Sequence, residues 1–363
     1  MSIPGASKHE VEVNEIKTAF VPLAEPPAVE QATEGSLIPL SKHPAFAKKA
    51  GFLKFLFNGQ ERISTGIQSL DKILGGGLDA GLMYIGAKPG AGKTTLLVQV
   101  MDYIASQGRD CIYYSLEIGL RDILKRTTAR LSYMLAENEA GRISMFEQDK
   151  FEHLTDFQQV TFSQVEKEIL QVAKRKFIKT VVGLQTVEGI KRDIEKSLKP
   201  GIAPVVFIDY LQLLGTTAGA MADKARIDTI TSQLKQMSWE FNIPIVVISS
   251  LAREAYKKTD AMPGLANFKE SGGIEYSADF VLAMQEKEQD DLHCANSEKK
   301  AVECVALKSR WGITGASCVL DYQPKYAIFS DVENVAVGNA KSRRIESAAK
   351  KGAVITRRAR YVE

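Results

Sequence analysis

The segment Lys88-Pro89-Gly90-Ala91-Gly92-Lys93-Thr94-Thr95 sets two glycines, a lysine and two hydroxyls in an order that suits them to gripping phosphate. An apolar run, Leu82 to Ile85, precedes it, and a helical pattern, Leu96 to Ala105, follows it. Strand, glycine-rich turn and helix in that order are the setting of a P-loop. Gly90 and Gly92 let backbone N–H groups crowd around the β- and γ-phosphates of a nucleotide, and the helix N-terminus adds a favourable dipole. Lys93 would neutralise phosphate charge, and the Thr94 hydroxyl could ligate Mg²⁺. Ala87 stands where the pattern usually begins with Gly, so the match is to its relaxed form. The alternative, a plain glycine turn, does not account for the strand and helix on either side.

Two carboxylates could complete such a site. Val205-Val206-Phe207-Ile208-Asp209 is an apolar, β-branched run ending in an acid, and a buried parallel strand of this kind delivers its last residue to the sheet's carboxyl edge, where ligands bind. Asp209 is therefore a candidate for holding Mg²⁺ opposite Thr94, directly or through water. Glu117 closes the run Cys111 to Leu116 and could orient the water that attacks a γ-phosphate. On spacing alone it could equally be a solvated acid at the start of a helix.

The elements that must position these groups alternate between strand and helix patterns after Ser64-Thr65-Gly66, which predicts an α/β fold with a mostly parallel central sheet flanked by helices. Expected strands are Leu82–Ile85, Cys111–Leu116, Val205–Ile208, Ile245–Ile248, Phe280–Met284 and Val302–Leu307. A C-terminal antiparallel pair, Cys318–Tyr322 and Tyr326–Phe329, turns at Gln323-Pro324-Lys325. Ile227, Ile230, Leu234, Met237 and Phe241 recur at steps of three and four and predict one long helix with a single buried stripe. Gly119 to Gly183 reads as a charged, helical insertion.

Before the core, residues 1–43 are rich in Pro, Glu and Ala and read as a disordered leader. Residues 44–60 mix Phe52, Phe55 and Leu56 with Lys48, Lys49 and Lys54, as an amphipathic helix would. The ATPase domain is expected over 61–335 and a basic tail over 336–363. Net charge is +3, but Lys341 to Glu363 alone carries +6, which leaves the other 340 residues at −3. Such a tail fits a phosphate-backbone or partner contact and fits a solvated, disordered tail equally well.

The 363 residues, 45% of them apolar, suffice for a large core. The longest apolar stretches are too short to span a bilayer and no apolar signal segment opens the chain, so a cytoplasmic protein without membrane contact is expected. Cys111, Cys294, Cys304 and Cys318 form no C-x-x-C pair and suggest neither disulfides nor a zinc ribbon.

Taken together the blocks resemble a known family. Ser115-Leu116-Glu117, then Ile208-Asp209-Tyr210-Leu211-Gln212-Leu213-Leu214, then Phe268 to Glu275 with Ala278-Asp279, then Lys308-Ser309-Arg310-Trp311-Gly312 fall in the order found in the C-terminal, RecA-fold ATPase domain of DnaB-type replicative helicases. With the P-loop, five blocks spread over roughly residues 61 to 332 carry the resemblance.

It implies that Glu117 acts on the attacking water. Arg310, with Lys308 beside it, would be an arginine finger reaching the γ-phosphate held by a neighbouring subunit of a homo-oligomer, usually a hexameric ring. The bland reading of those two cations is a charged edge strand that resists aggregation. Lys269, Glu270 and Gly272 match the loop that lines the central channel and grips single-stranded DNA, with Lys in place of the usual Arg. Lys257 and Lys258, in the segment from Arg253 that includes Tyr256, and the loop from Gly215 to Arg226 are further channel candidates, or ordinary surface loops.

Ser250 stands where the family usually has the Gln that senses the γ-phosphate. The family's folded primase-binding front domain has no counterpart in the 60 or so residues before the core, and the 44–60 helix resembles its linker helix. A helicase loader or another replisome protein is an expected partner. A RecA-fold ATPase of another kind, recombination or KaiC-like, is the second reading. A protein that uses ATP only to assemble on DNA or on a replisome partner is the third.

Overall fold

Strand β1 (Gly81–Ala87) is buried along its whole length, as are β2 (Cys111–Ser115) and, further on, β5 (Val205–Asp209). Strands of a parallel sheet covered on both faces must be apolar on both, which is why these runs lack alternation. The computed structural model describes residues 62–180, 185–198, 203–216, 222–251, 262–268, 271–287, 299–310, 312–332 and 338–339. The expected leader, the 44–60 helix and the tail from 340 onward lie outside the described residues.

The remaining strands of the main sheet are β3 (Lys176–Thr180), β7 (Pro244–Ser250), β8 (Phe280–Glu286), β9 (Lys300–Ser309), β10 (Ala316–Gln323) and β11 (Ile328–Asp331). Their order across the sheet is β11-β10-β9-β8-β1-β7-β5-β2-β3. The six neighbours β8, β1, β7, β5, β2 and β3 are mutually parallel, and β9, β10 and β11 add antiparallel to them. A short strand, β12 (Gly338–Asn339), also pairs with β10, while β4 (Gln185–Thr186) and β6 (Leu214–Gly215) form a separate two-stranded pair. Every expected strand is present. The last one starts two residues later than its pattern suggests, because Pro324–Tyr326 forms a 3₁₀ turn and Ala327 takes a left-handed conformation.

Helices cover both faces. On one side lie α1 (Gln68–Ile73), α2 (Lys93–Ser106), α3 (Leu120–Leu135) and α4 (Asp156–Ala173); on the other lie α5 (Val187–Ser197) and α6 (Asp223–Glu240). Met83 and Ile85 enter the first core with Leu96, Leu97, Phe207 and Val246, whereas Leu82 and Tyr84 enter the second with Ile190, Ile194, Ile230, Leu234 and Val247. Alternation along β1 thus serves two cores rather than a core and solvent. The stripe Ile227, Ile230, Leu234 and Met237 is buried as its spacing predicts, and Phe241 caps the helix.

The region expected as an insertion is part of the sheet's own winding: α3 and α4 lead into β3, which pairs in register with β2 from Cys111 opposite Lys176. Its Lys-Phe-Ile-Lys-Thr sequence is half exposed at the sheet edge, which hides it from an apolar-run search. A buried charge cluster fixes it. Asp102 of α2 accepts from Thr127 Oγ1 (2.7 Å), from Lys176 Nζ (2.7 Å) and from Arg130, and the two cationic side chains are 3% and 4% exposed. One carboxylate thereby ties the P-loop helix to α3 and to the edge strand. Removing one partner of a buried ion cluster leaves uncompensated charge. Asp102→Asn is therefore expected to lower unfolding stability by about 3 kcal/mol in denaturant titration, and a loss below about 0.5 kcal/mol would show the cluster to be dispensable.

Candidate active site

Parallel strands β1, β7, β5 and β2 all end on one edge of the sheet, so side chains just past their carboxyl ends must converge there. Registers fix which ones meet: Ala87 lies opposite Ser250, and Ser115 opposite Asp209. Leaving β1, the chain turns through Lys88 to Gly92 and starts α2 at Lys93. Gly92, the residue before the helix, has φ 87°, and a Cβ there would lie 2.7 Å from the ring of Phe329. Both the left-handed backbone and the space demand glycine. The rings of Tyr322 and Phe329 stack at 4.3 Å, and the Gln99 side-chain amide exchanges two 2.8 Å bonds with the Phe329 backbone, so the C-terminal hairpin forms a wall of the P-loop.

Lys93 Nζ folds back over its own loop and donates to Ala87 O (2.8 Å) and Lys88 O (3.1 Å). Burial pulls its ammonium below the ordinary lysine range, while the charges of Asp209 and Glu117 act in the opposite direction. Thr94 Oγ1 donates to Asp209 Oδ2 at 2.7 Å. The structure therefore brings together the two residues that the sequence nominates for a metal. Asp209 is 1% exposed, and its Oδ1 is buried with no hydrogen-bond partner. A hydroxyl and an orphaned carboxylate oxygen at a phosphate loop suit a hard cation such as Mg²⁺, which takes few protein ligands and keeps several waters. Among the described residues no group of three or more His, Cys, Asp or Glu could hold a metal alone.

Glu117 lies two residues past the end of β2, exposed, with its charge felt by both Lys93 and Asp209. A backbone bond from Leu116 N to Asp209 O (2.8 Å) holds that segment beside β5. Ser250 ends β7, and its N–H donates to Gln212 Oε1 (3.2 Å), whose amide in turn donates to Ser249 Oγ (3.1 Å). Tyr113 escapes sequence reasoning: its hydroxyl donates to Asp209 Oδ2 at 3.0 Å from inside the core. A tyrosine in an otherwise apolar buried strand needs a partner for its OH, and that need is the available signal. Gln212, the polar residue in Leu211-Gln212-Leu213, carries a similar one.

Arg310 and Lys308 are elsewhere. β9 runs antiparallel to β8, so its end pairs with the beginning of β8, Ser309 opposite Phe280. Arg310 Nη1 lies 3.2 Å from Asp279 Oδ1, and Asp279 Oδ2 accepts from Leu82 N at the start of β1. Five residues of strand separate Leu82 from Ala87, about 17 Å. The arginine therefore sits at the edge opposite its own P-loop, with its side chain 51% exposed. Lys308 Nζ donates to the Glu275 carbonyl of α7 (Ser271–Ser277), and burial and Arg310 lower its pKa.

Of the expected channel residues, Gly272 lies in α7, whereas Lys269, Glu270, Lys257 and Lys258 lie outside the described residues, as do Arg253, Tyr256 and Trp311. Arg226 donates back to the Gln212 and Leu214 carbonyls rather than projecting as a free cation.

A glycine-rich loop between a buried parallel strand and a helix, with a strand-end carboxylate on its threonine, defines a P-loop nucleotide-binding protein of RecA-like fold. The chain belongs to the DnaB-like helicase C-terminal domain family, whose model matches residues 62–331. Among curated relatives, the replicative DNA helicase DnaB of Mycoplasma genitalium is 28% identical over 292 residues, 76% of this chain and 57% of that protein. The corresponding Helicobacter pylori protein is 30% identical over 222 residues, 61% of this chain and 43% of its own. A probable plasmid replicative DNA helicase of Chlamydia muridarum is 28% identical, covering 75% of this chain and 55% of that protein. The chain thus spans about half the length of the curated relatives it matches. In fold it is similar to a solved helicase ATPase domain, with a TM-score of 0.65 at 24% identity, covering 78% of this chain and 97% of that one. A DnaB-like replicative helicase studied with primase gives the same score and identity and covers 65% of that chain.

Asp209 also bears on stability in the absence of nucleotide. Burial raises its carboxyl above the usual range, with hydrogen bonds from Thr94 and Tyr113 opposing the rise and Glu117 adding to it. A raised carboxyl favours the neutral form in the folded chain, so its stabilisation is complete below the ordinary carboxyl pKa and is lost as pH rises through the raised value. Asp209→Asn, uncharged throughout, is expected to melt roughly 2 to 4 °C higher than the parent at pH 7, about 1 kcal/mol, and to lose that advantage in acid. An unchanged or lower melting point at pH 7 would contradict it.

Proposed function

We propose that this protein is an ATP-dependent DNA helicase of the DnaB type, working in replication as a ring that moves along single-stranded DNA. The observation that carries this reading is the division of the site across the sheet. The phosphate loop with Thr94, Asp209 and Glu117 occupies one edge, and Arg310 occupies the other, about 17 Å away. A subunit so arranged offers a nucleotide on one side and a cation on the other, and only a head-to-tail assembly joins them. A closed ring, six subunits by family analogy, satisfies every such interface.

In the proposed reaction the N–H groups of Lys88 to Thr95 and the Lys93 ammonium hold the β- and γ-phosphates. Mg²⁺ beside Thr94 and Asp209 would neutralise charge on the phosphate oxygens. Glu117 accepts a proton from water as its oxygen bonds to the γ-phosphorus, and the bond from that phosphorus to the β–γ bridging oxygen breaks, giving ADP and phosphate. Arg310 and Lys308 of the adjacent subunit stabilise the charge that spreads over the γ-phosphoryl oxygens. Ser250, held by Gln212, would sense the γ-phosphate through water, since its hydroxyl is shorter than the family's usual Gln. Lys269, Glu270 and Gly272, with Lys257 and Lys258, would grip the DNA backbone. Such contacts make binding weaken steeply with salt. A loader or replisome protein would place the ring on DNA in the cytoplasm.

Two measurements decide between the readings. DNA-stimulated ATP hydrolysis with strand displacement on a forked duplex is expected; hydrolysis without unwinding would favour another RecA-fold ATPase, and binding without turnover a protein that uses ATP only to assemble. For the divided site, Arg310→Ala should bind nucleotide normally and lose on the order of a thousandfold in kcat, and Lys93→Ala should lose turnover. Mixing the two inactive variants should restore part of the activity, because some interfaces then pair an intact P-loop with an intact arginine. No recovery in mixed rings would refute the division of labour.

A further inference from the structure

The carboxylate of Asp209 is not symmetric. Its Oδ2 takes two hydrogen bonds, from Thr94 Oγ1 at 2.7 Å and from the Tyr113 hydroxyl at 3.0 Å, while its Oδ1 is buried without any. The Tyr113 side chain is fully buried in the core on the α2 face of the sheet, its ring 6.4 Å from that of Phe207. Strand pairing of Cys111 with Val205 through Ser115 with Asp209 fixes its height below the acid. Thr94 belongs to the loop that receives nucleotide, and its hydroxyl would turn its lone pairs to an arriving ion. Tyr113 belongs to the rigid sheet and receives nothing. Its hydrogen bond is therefore the part of the arrangement that persists when the site fills.

A carboxylate oxygen already holding two donors is poorly placed to share a cation. Large divalent ions such as Ca²⁺ take six to eight oxygens and readily accept a carboxylate through both of its atoms, whereas Mg²⁺ demands a tight octahedron, keeps its waters and needs only one. We propose that the Tyr113 phenol makes Asp209 a one-oxygen ligand, offering Oδ1 alone, and so tunes the nucleotide site for Mg²⁺ over Ca²⁺. Tyr113 is on this account a positioning residue that acts through Asp209, and the inference rests on the proposal that Asp209 holds the ion.

Tyr113→Phe tests it, since the ring stays in place and only the hydroxyl is lost. The full chain would be titrated with Mg²⁺ and, separately, Ca²⁺ in the presence of a fluorescent ADP, reading the ion concentration that half-saturates metal-dependent nucleotide binding. Loss of a hydrogen bond to a charged group is expected to raise the Mg²⁺ half-saturation about tenfold. The Ca²⁺ value should stay level or fall, so that the preference between the ions shrinks by at least as much, and metal-free ADP binding should not change. A proportional shift for both ions would mean that the phenol only supports packing, and would overturn the proposal. So would an unshifted Mg²⁺ curve in Tyr113→Phe alongside a lost one in Asp209→Asn. If Asp209→Asn itself leaves both curves unchanged, the assignment of the ion to Asp209 fails first, and this inference fails with it. Thermal melting of each variant separates these results from misfolding.

Discussion

The 2.7 Å hydrogen bond between Thr94 and Asp209 joins two parts of the chain 115 residues apart, and most of the architecture is what holds its ends still. One end is the first turn of α2, whose position is set by Leu96, Leu97, Val100 and Met101 packed on the sheet and by Asp102 gripping Arg130 and Lys176. The other end is the last residue of β5, flanked by β2 and β7 and covered on both faces. Parallel pairing supplies the remaining condition, because only strands that run together end together. Break the direction of one central strand and its functional residue leaves the edge.

That edge is electrically unfinished. Burial holds the Lys93 ammonium below its usual range and the Asp209 carboxyl above its own, so each charged form is disfavoured in the absence of ligand. The same low-dielectric surroundings strengthen the attraction of phosphate for one and of a cation for the other. Asp102 shows the contrasting solution, in which the chain supplies its own counter-charges and the cluster is closed. The difference between a structural and a functional buried acid in this protein is whether its lone pairs are all engaged: Asp102 accepts from three groups, while Oδ1 of Asp209 accepts from none.

How much of this is legible in the sequence depends on whether a residue's role is local. The P-loop can be read because its glycines, lysine and threonines are consecutive, and β5 because a buried strand that ends in an acid leaves both signs in one run. The pairing of Thr94 with Asp209 follows from topology alone. By contrast, β3 is hidden, since an edge strand half open to solvent has no apolar run, and its lysine is buried only because Asp102 lies 74 residues before it. Tyr113 looks like one more large core side chain until its hydroxyl is seen to end at a carboxylate. The placement of Arg310 on the far edge requires the antiparallel direction of β9, which nothing in Lys308-Ser309-Arg310 announces.

The wall that Tyr322 and Phe329 form against Gly92 has a consequence for how the protein is made. Residues that must touch the phosphate loop lie about 230 positions later in the chain, as the bonds between Gln99 and Phe329 show. During synthesis, the loop emerges early and its six parallel strands are complete by Glu286, yet one side of it stays open until the final hairpin arrives. A nascent chain therefore carries a half-walled phosphate loop for most of its translation, and it becomes a finished nucleotide-binding subunit only as the last strands leave the ribosome.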